Sequence, residues 1–527
     1  MDRGLSRCSR ATAELLVSAE YFAACSIVLV GNLCHCNMNA TTQVARDQAY
    51  PQAVALSRVI NNSVALVLLD LLNKAIPLIV FPRVVRMLGP AVYGQLGFAG
   101  AVAGFFGLLA SPGFSTYALR EAARNNDRVS FLVKHVLGAR VVFAAGAYAL
   151  LAVFTLFFAP HDGQTRLLIL LSGLAFVAGS LDTQWIFAAR SRMSMIAVQG
   201  ALSQLAYAGL ILALVRGSGD AWIIPAATLV SLGLSTLFIW LPARREYHIP
   251  LPEISPQAWG MFLPICLVMG FSSLMSMIYD QIDVIMLKYF RADAELGTYV
   301  ASYGLMTMAM SFLPILSRVF VPLLSETAGS RGDTQNKYLR WLGNATIGLA
   351  LPIAVGGFIL AAPLTQFVFG SQYSGSGTLF RWLTLTIVSA TAASYCGAQL
   401  IPNGREKKYF AAVLAGAFSN VVLNLFFIPK YGALAAAFTT AISQGVVALM
   451  NYYFVRDLTK PPLLTAVAIS IPATCVMAVS LVLLQVFFLF HVLVLVTLGA
   501  LAYLGAYSLS LVFLNRISAP SARIGLS

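Results

Sequence analysis

Residues 259–290 read WGMFLPICLVMGFSSLMSMIYDQIDVIMLKYF, an apolar run crossed by one polar line. Ser273, Ser276, Asp280 and Asp283 recur at intervals of three and four, so a helix would carry them on one face. The remaining side chains, among them Leu274, Met275, Ile278, Ile282 and Ile285, suit lipid. The run exceeds the roughly 20 residues that a bilayer core requires. Two carboxylates in such a span need a partner or a wet cavity, and an ionisable group there is a functional candidate by default.

Composition extends this reading to the whole chain. Of 527 residues, 59% are hydrophobic and 10% charged, whereas a soluble domain carries roughly 25% charged residues. With a mean hydropathy of +0.81, the chain is an all-α polytopic membrane protein. The net charge of +14 is scattered through short gaps, which excludes a nucleic-acid partner. The positive-inside rule accounts for most of the excess, and a basic cavity for an anionic substrate for the rest. No gap has room for a soluble catalytic domain. No Gly-x-x-x-x-Gly-Lys-Ser/Thr occurs, which argues against ATP as the direct energy source. The histidines are scattered, and Cys34-His35-Cys36 has no second cluster to complete a metal site. No enzyme chemistry and no cofactor are expected.

Apolar runs fall at 64–82, 96–117, 137–159, 167–187, 196–215, 222–242, 260–287, 297–325, 341–361, 378–401, 410–428, 432–454, 463–485 and 492–514. Each is about as long as one crossing, giving about 14 transmembrane helices. Alternate gaps differ in charge. One side holds Arg120, Arg124, Arg128, Lys134, Arg190, Arg192, Arg244, Arg245, Arg331, Lys337, Arg340, Arg405, Lys407 and Lys408, with more beyond. The other side holds only Arg83, Arg86, Arg166, Arg216, Lys288, Arg291 and Lys430. The first side is therefore expected to be cytoplasmic, with both termini inside.

A weak internal repeat aligns Tyr93-Gly94 with Leu296-Gly297, Leu119-x-Glu121-x-Ala123 with Leu324-x-Glu326-x-Ala328, and Leu137-Gly138 with Leu342-Gly343. The order is kept six spans apart, so the halves run parallel about an axis normal to the membrane, and a substrate site is expected between them. The expected domains are 1–57, a non-structural extension; 58–245 and 246–457, two pseudo-symmetric six-helix bundles around a central cavity; and 458–527, two extra C-terminal helices.

Asp70 and Lys74 stand one helical turn apart in the first span, deep enough that a wet cleft is a better setting than lipid. Asp280 and Asp283 lie in the corresponding span of the second half and read as a protonatable or cation-binding pair. Arg140, Arg318 and Asp182 fall close to the cytoplasmic ends, where interfacial anchoring is an equally good reading.

Several stretches resemble the polysaccharide transporter family, the oligosaccharide-lipid flippases of the multidrug/oligosaccharidyl-lipid/polysaccharide exporter superfamily. Asn424-Leu-Phe-Phe-Ile-Pro429-Lys-Tyr431-Gly432-Ala-Leu-Ala-Ala-Ala437 is similar to its Asn-Leu-x-x-Ile-Pro-x-Tyr-Gly-x-x-Gly-Ala-Ala, with Ala435 in place of a Gly. Leu88-Gly89-Pro90-x-x-Tyr93-Gly94, Asp182-Thr-Gln-Trp185-Ile-Phe187 and Tyr279-Asp-Gln-Ile-Asp283 also fit. After Phe187 the chain departs from the family's Gln-Gly-Glu, and Lys288 stands where a Gly is common.

The resemblance covers about 58–460. It implies translocation of an undecaprenyl-diphosphate-linked oligosaccharide across the bacterial inner membrane by alternating access, for O-antigen, capsule or exopolysaccharide synthesis. It implies membrane lipid, a coupling ion (proton or sodium), and a polysaccharide polymerase with its chain-length regulator as partners. On this reading Lys74, Arg140 and Arg318 meet the diphosphate, Arg83, Arg86 and Lys288 stand near the exit, and Asp70, Asp280 and Asp283 serve ion coupling. The alternatives are a drug/cation antiporter of the same superfamily and, less well supported, a membrane-bound polymerase. Lys74→Ala and Asp283→Asn are each expected to impair export of the surface glycan without loss of protein. Full complementation by both, read by immunoblot and glycan staining, would remove the cavity assignment.

Overall fold

The computed structural model describes residues 40–125, 128–190, 192–247, 252–326, 333–456, 463–487 and 490–518. The chain divides into two units between Val67 and Leu68. In the first, the backbone is helical from Ala40, inside the stretch expected as a non-structural extension; residues 1–39 lie outside the described residues.

All regular structure among the described residues is helical. In chain order the helices are α1 (Ala40–Ala110), α2 (Phe114–Arg124), α3 (Val129–Phe157), α4 (Gly163–Gly179), α5 (Gln184–Ala189) and α6 (Met193–Leu214). There follow α7 (Ile223–Tyr247), α8 (Pro256–Trp259), α9 (Leu263–Phe290), α10 (Asp293–Ala309), α11 (Phe312–Glu326) and α12 (Asp333–Ile359). The last six are α13 (Ala361–Phe369), α14 (Ser376–Leu400), α15 (Glu406–Tyr431), α16 (Ala433–Val455), α17 (Leu463–Phe487) and α18 (Val492–Ser518). Eleven helical segments among the described residues are long and apolar enough to cross a membrane, and Gly163–Gly179 is a shorter apolar helix.

Between the first two expected spans α1 turns sharply at Gly89, whose φ of 72° is left-handed, so its two parts are separate rods. Other breaks fall inside expected spans. The span expected at 96–117 stops at Ala110, because Pro112 lacks a donor and Gly113 (φ 78°) takes a left-handed turn before α2. Its repeat counterpart, expected at 297–325, breaks at Met310 and Ser311, just ahead of Pro314 in the first turn of α11. The span at 167–187 breaks between α4 and α5, where an arginine takes up the freed carbonyls.

The packing repeats as the sequence does. α3 packs on α4, α4 on α7 and α6 on α7; in the second half α12 packs on α14, α14 on α16 and α15 on α16. The final pair belongs to the second half, with α17 on α12 and α18 on α17. Tyr503 donates to the Gly348 carbonyl at 2.6 Å, tying α18 to α12.

The two halves meet tightly at the end that carries Arg83, Arg86, Lys288 and Arg291. A Cβ on Gly94 would run into the Asp293 carbonyl, and a Cβ on Gly297 into the Pro90 carbonyl. The repeat sets Gly94 in register with Gly297 and Pro90 with Asp293, so each half offers the same surface to the other, as in a twofold contact. In lipid, helices associate through close van der Waals packing, and missing side chains permit that approach. A buried apolar cluster continues the seam, joining Val80, Val84, Val85 and Phe98 to Leu287, Leu296, Tyr299 and Phe369. At the opposite end Tyr117 of α2 stacks on Phe262 at 5.5 Å, and Gly270 of α9 lies against Pro112.

Gly297→Leu is expected to hold the seam apart, at about 1–3 kcal/mol for overpacking a close contact. Gly100→Leu should leave it closed, since a Cβ there meets nothing within 4 Å. Thiol cross-linking of Pro90→Cys with Ala294→Cys in membranes reads the difference.

Candidate functional site

The polar line on α9 divides into two environments. Ser273, Ser276 and Asp280 are exposed, whereas Asp283 is 1% exposed. The exposed face lies between Met277, whose tip rests at Gly104 of α1, and Asp283, which points toward α10. Leu267, Val268 and Phe271 are exposed on other positions of the helix, as lipid contact requires. Asp280 lies within electrostatic reach of Tyr279, Tyr303 and Tyr409, from α9, α10 and α15. The two acids of the stripe therefore stand in different surroundings, one exposed and one buried, while remaining within electrostatic reach of each other.

Asp283 is held on both oxygens. The Val284 N–H donates to Oδ1 at 2.8 Å, and the Tyr299 hydroxyl donates to Oδ2. Tyr299 also bonds to Thr440 of α16 and stacks on Tyr303 at 5.9 Å. On the neighbouring residue of α16, the Thr439 hydroxyl donates to Asn424 Oδ1, while Asn424 Nδ2 donates to Asn420 Oδ1 at 2.9 Å. Asp283, Asn420, Asn424, Thr439 and Thr440 thus give the second half a buried polar run. Among the described residues no group of three or more His, Cys, Asp or Glu is arranged to hold a metal ion.

Of the four expected cations whose side chains are described, three bond to helix ends. Arg140 is buried, and its guanidinium donates to the Gly179 and Asp182 carbonyls, each at 2.7 Å, at the break after α4. Arg83 donates to the Leu212 carbonyl at 3.4 Å, in the last turn of α6. Arg86 donates to the Val368 carbonyl at 3.0 Å and to that of Phe367, the end of α13. The exchange is mutual, because Gln372 and Tyr373 beyond α13 donate to the Arg86 and Val85 carbonyls at 2.6 and 2.8 Å. The Lys288 side chain is 5% exposed and paired with Asp293 at 2.5 Å. Asp293 Oδ2 in turn accepts from Gln95 of α1 at 3.1 Å, across the seam. The side chains of Asp70, Lys74 and Arg318 lie outside the described residues.

The model of the polysaccharide biosynthesis protein family matches residues 59–328. The chain belongs to that family. Relatives include a protein of Escherichia coli (strain K12) named for O-antigen transport, 22% identical over 73% of this chain and 94% of its own. Another is capsular polysaccharide biosynthesis protein CapF of Staphylococcus aureus, 23% identical over 36% of this chain. The match spans 48% of the length of CapF. Among solved structures, the lipid II flippase MurJ in an inward closed conformation superposes with a TM-score of 0.64 at 16% identity, over 85% of this chain and 98% of its own. An inward-facing multidrug resistance MATE transporter gives 0.59 at 13% identity, over 73% and 94%. The chain shares the fold of these two transporters.

The family-like stretch 424–437 has a structural account. Arg291 donates to the Pro429 carbonyl at 3.1 Å, closing the end of α15. The Ala433 N–H donates to Glu295 at 2.7 Å, opening α16. Gly432 between them (φ 62°) leaves room for the Glu295 carboxylate. Arg291 stands among the outer-side cations of the sequence, whereas Glu295, Asp293, Gln95 and Tyr299 carry no mark there. The aligned Gly94 and Gly297 were the available signal, since Gln95, Asp293 and Glu295 all lie within four positions of them.

Tyr299→Phe should leave buried Asp283 short of a donor and destabilise the purified protein by roughly 1.5–3 kcal/mol, the worth of a hydrogen bond to a charged group. Asp280→Asn, on the exposed face, should leave the melting temperature unchanged while lowering export. Equal melting temperatures for the two variants would contradict this division of roles.

Proposed function

We propose that the chain is a flippase that carries an undecaprenyl-diphosphate-linked oligosaccharide from the cytoplasmic to the outer leaflet, for assembly of a surface polysaccharide. The observation that carries the lipid-linked part is an apolar groove of about 550 Å³ between the first and second halves and the C-terminal pair. Leu78, Leu305, Ile353, Phe380, Met477 and Leu504 are among its walls. An isoprenoid tail could lie there while the polar head faces Ser273, Ser276 and Asp280. Membership of the polysaccharide biosynthesis family and the MurJ-like fold support the same reading.

Charge asymmetry supports the Gly94/Gly297 end as the outer one, and with it a state closed to the outside and cytoplasmic termini. Alternating access then consists of parting that seam while the opposite end closes. The proposed bodies are the bundles 58–245 and 246–457, with 458–527 riding on the second. The buried run from Asp283 to Asn424 and Thr440 supports ion coupling within the second bundle. Lys74 and Arg318 remain candidates for first contact with the diphosphate. A polymerase and its chain-length regulator would take the product outside. Asp280, exposed and outside the hydrogen bonds described, is what a drug/cation antiporter would use instead.

Deletion of the gene is expected to abolish the surface glycan and to accumulate undecaprenyl-linked intermediates that external glycosidases cannot reach in intact cells. Unchanged glycan with no accumulation would reject the flippase reading. Altered drug sensitivity in its place would favour the antiporter.

A further inference from the structure

Lys288 occupies an unusual position for a cation at a membrane span's end. Its side chain is 5% exposed, and Nζ lies 2.5 Å from Asp293 Oδ1. Both residues belong to the second half, but their cover belongs to the first. Nζ sits 5.8 Å from the centre of the Phe98 ring. The second oxygen of Asp293 is held by Gln95. Asp162, the capping residue of α4, lies within electrostatic reach of Lys288. The adjacent Tyr289 bonds to the Phe158 carbonyl at 3.2 Å and packs edge-on against Phe98 at 6.0 Å. Phe98, Gln95, Phe158 and Asp162 all lie across the seam from Lys288.

We propose that Lys288 is a shielded cation, covered by the first half while the seam is shut and exposed to a diphosphate when the halves part. The inference rests on the flippase reading and adds when and where an anionic head group meets this residue. Parting the seam removes the Phe98 ring, the Gln95 amide and the Asp162 carboxylate together. Asp293 remains, because it travels with Lys288. The cation is thereby bared at the mouth of the exit, losing the Phe98 ring and the Asp162 carboxylate and keeping Asp293. An oxygen of the diphosphate can then share Lys288 with Asp293, a charge-assisted contact available only in the opened state. With the seam shut, the head group has no access to it.

The test uses the full chain with its 7 native cysteines replaced by serine. Seam closure is read by cross-linking Pro90→Cys to Ala294→Cys, and export by surface glycan in the deletion strain. The deciding variant is the neutral pair Lys288→Met with Asp293→Asn, which leaves no buried charge unpaired and keeps an acceptor for Gln95. It should cross-link like the parent and export about tenfold less or worse, the effect of losing a charge-assisted contact. Lys288→Arg should retain both properties to within about threefold, because the cation is kept. Parental export from the neutral pair would overturn the proposal. So would loss of the cross-link in the neutral pair, which would make the ion pair a structural lock. If the deletion strain itself exports normally, the flippase reading fails separately, and the neutral pair is not needed to reject it.

Discussion

A helix leaves its last carbonyls without donors, and inside or beside a bilayer there is little water to satisfy them. This chain meets that constraint with arginine. Arg140 closes α4, Arg86 closes α13, Arg291 closes α15 and Arg405 closes α16, where it donates to the Phe454 carbonyl at 2.8 Å. Arg83 reaches the end of α6, and Arg166 the Leu156 carbonyl at the end of α3. Each guanidinium offers several donors in a plane and a charge that complements the negative helix terminus, worth typically 0.3–1 kcal/mol and up to ~2 kcal/mol when partly buried. Each of these caps is supplied from outside the helix it closes.

That use of arginine changes the meaning of the net charge. Part of the basic surplus is structural, and the cations that remain for a substrate are fewer than composition suggests. Arg86 illustrates the point. Its side chain ends α13, while Gln372 and Tyr373, just past α13, cap the first rod of α1 in return. One side chain thereby joins the two halves at the same end as the glycine seam, through bonds to main-chain carbonyls.

The fold was legible because apolar length, charge asymmetry and a repeat all constrain it independently. Gly94 and Gly297 aligned in sequence and touch in space. The separate fates of Asp280 and Asp283 were less accessible. A three-residue spacing puts both on one side of a helix, but a hundred degrees of rotation per residue still leaves them sixty degrees apart. Whether that angle crosses from cavity to core depends on Tyr299, sixteen positions away on another helix. Arg140 poses the same difficulty, since its partners are main-chain carbonyls that no residue pattern announces. Side-chain type shows what a residue can bind, whereas competition from the backbone decides what it does bind.

The seam at Gly94 and Gly297 also bears on how such a molecule can change over generations. Each glycine abuts the other half's main chain, so the fit depends on atoms that are absent and on backbone that every residue shares. Two duplicated halves can drift far apart in their side chains and still close on each other, provided neither gains a Cβ at that point. The price is that the two positions are tied in descent: a substitution at either one is felt by both copies at once, and neither half can be exchanged without its match.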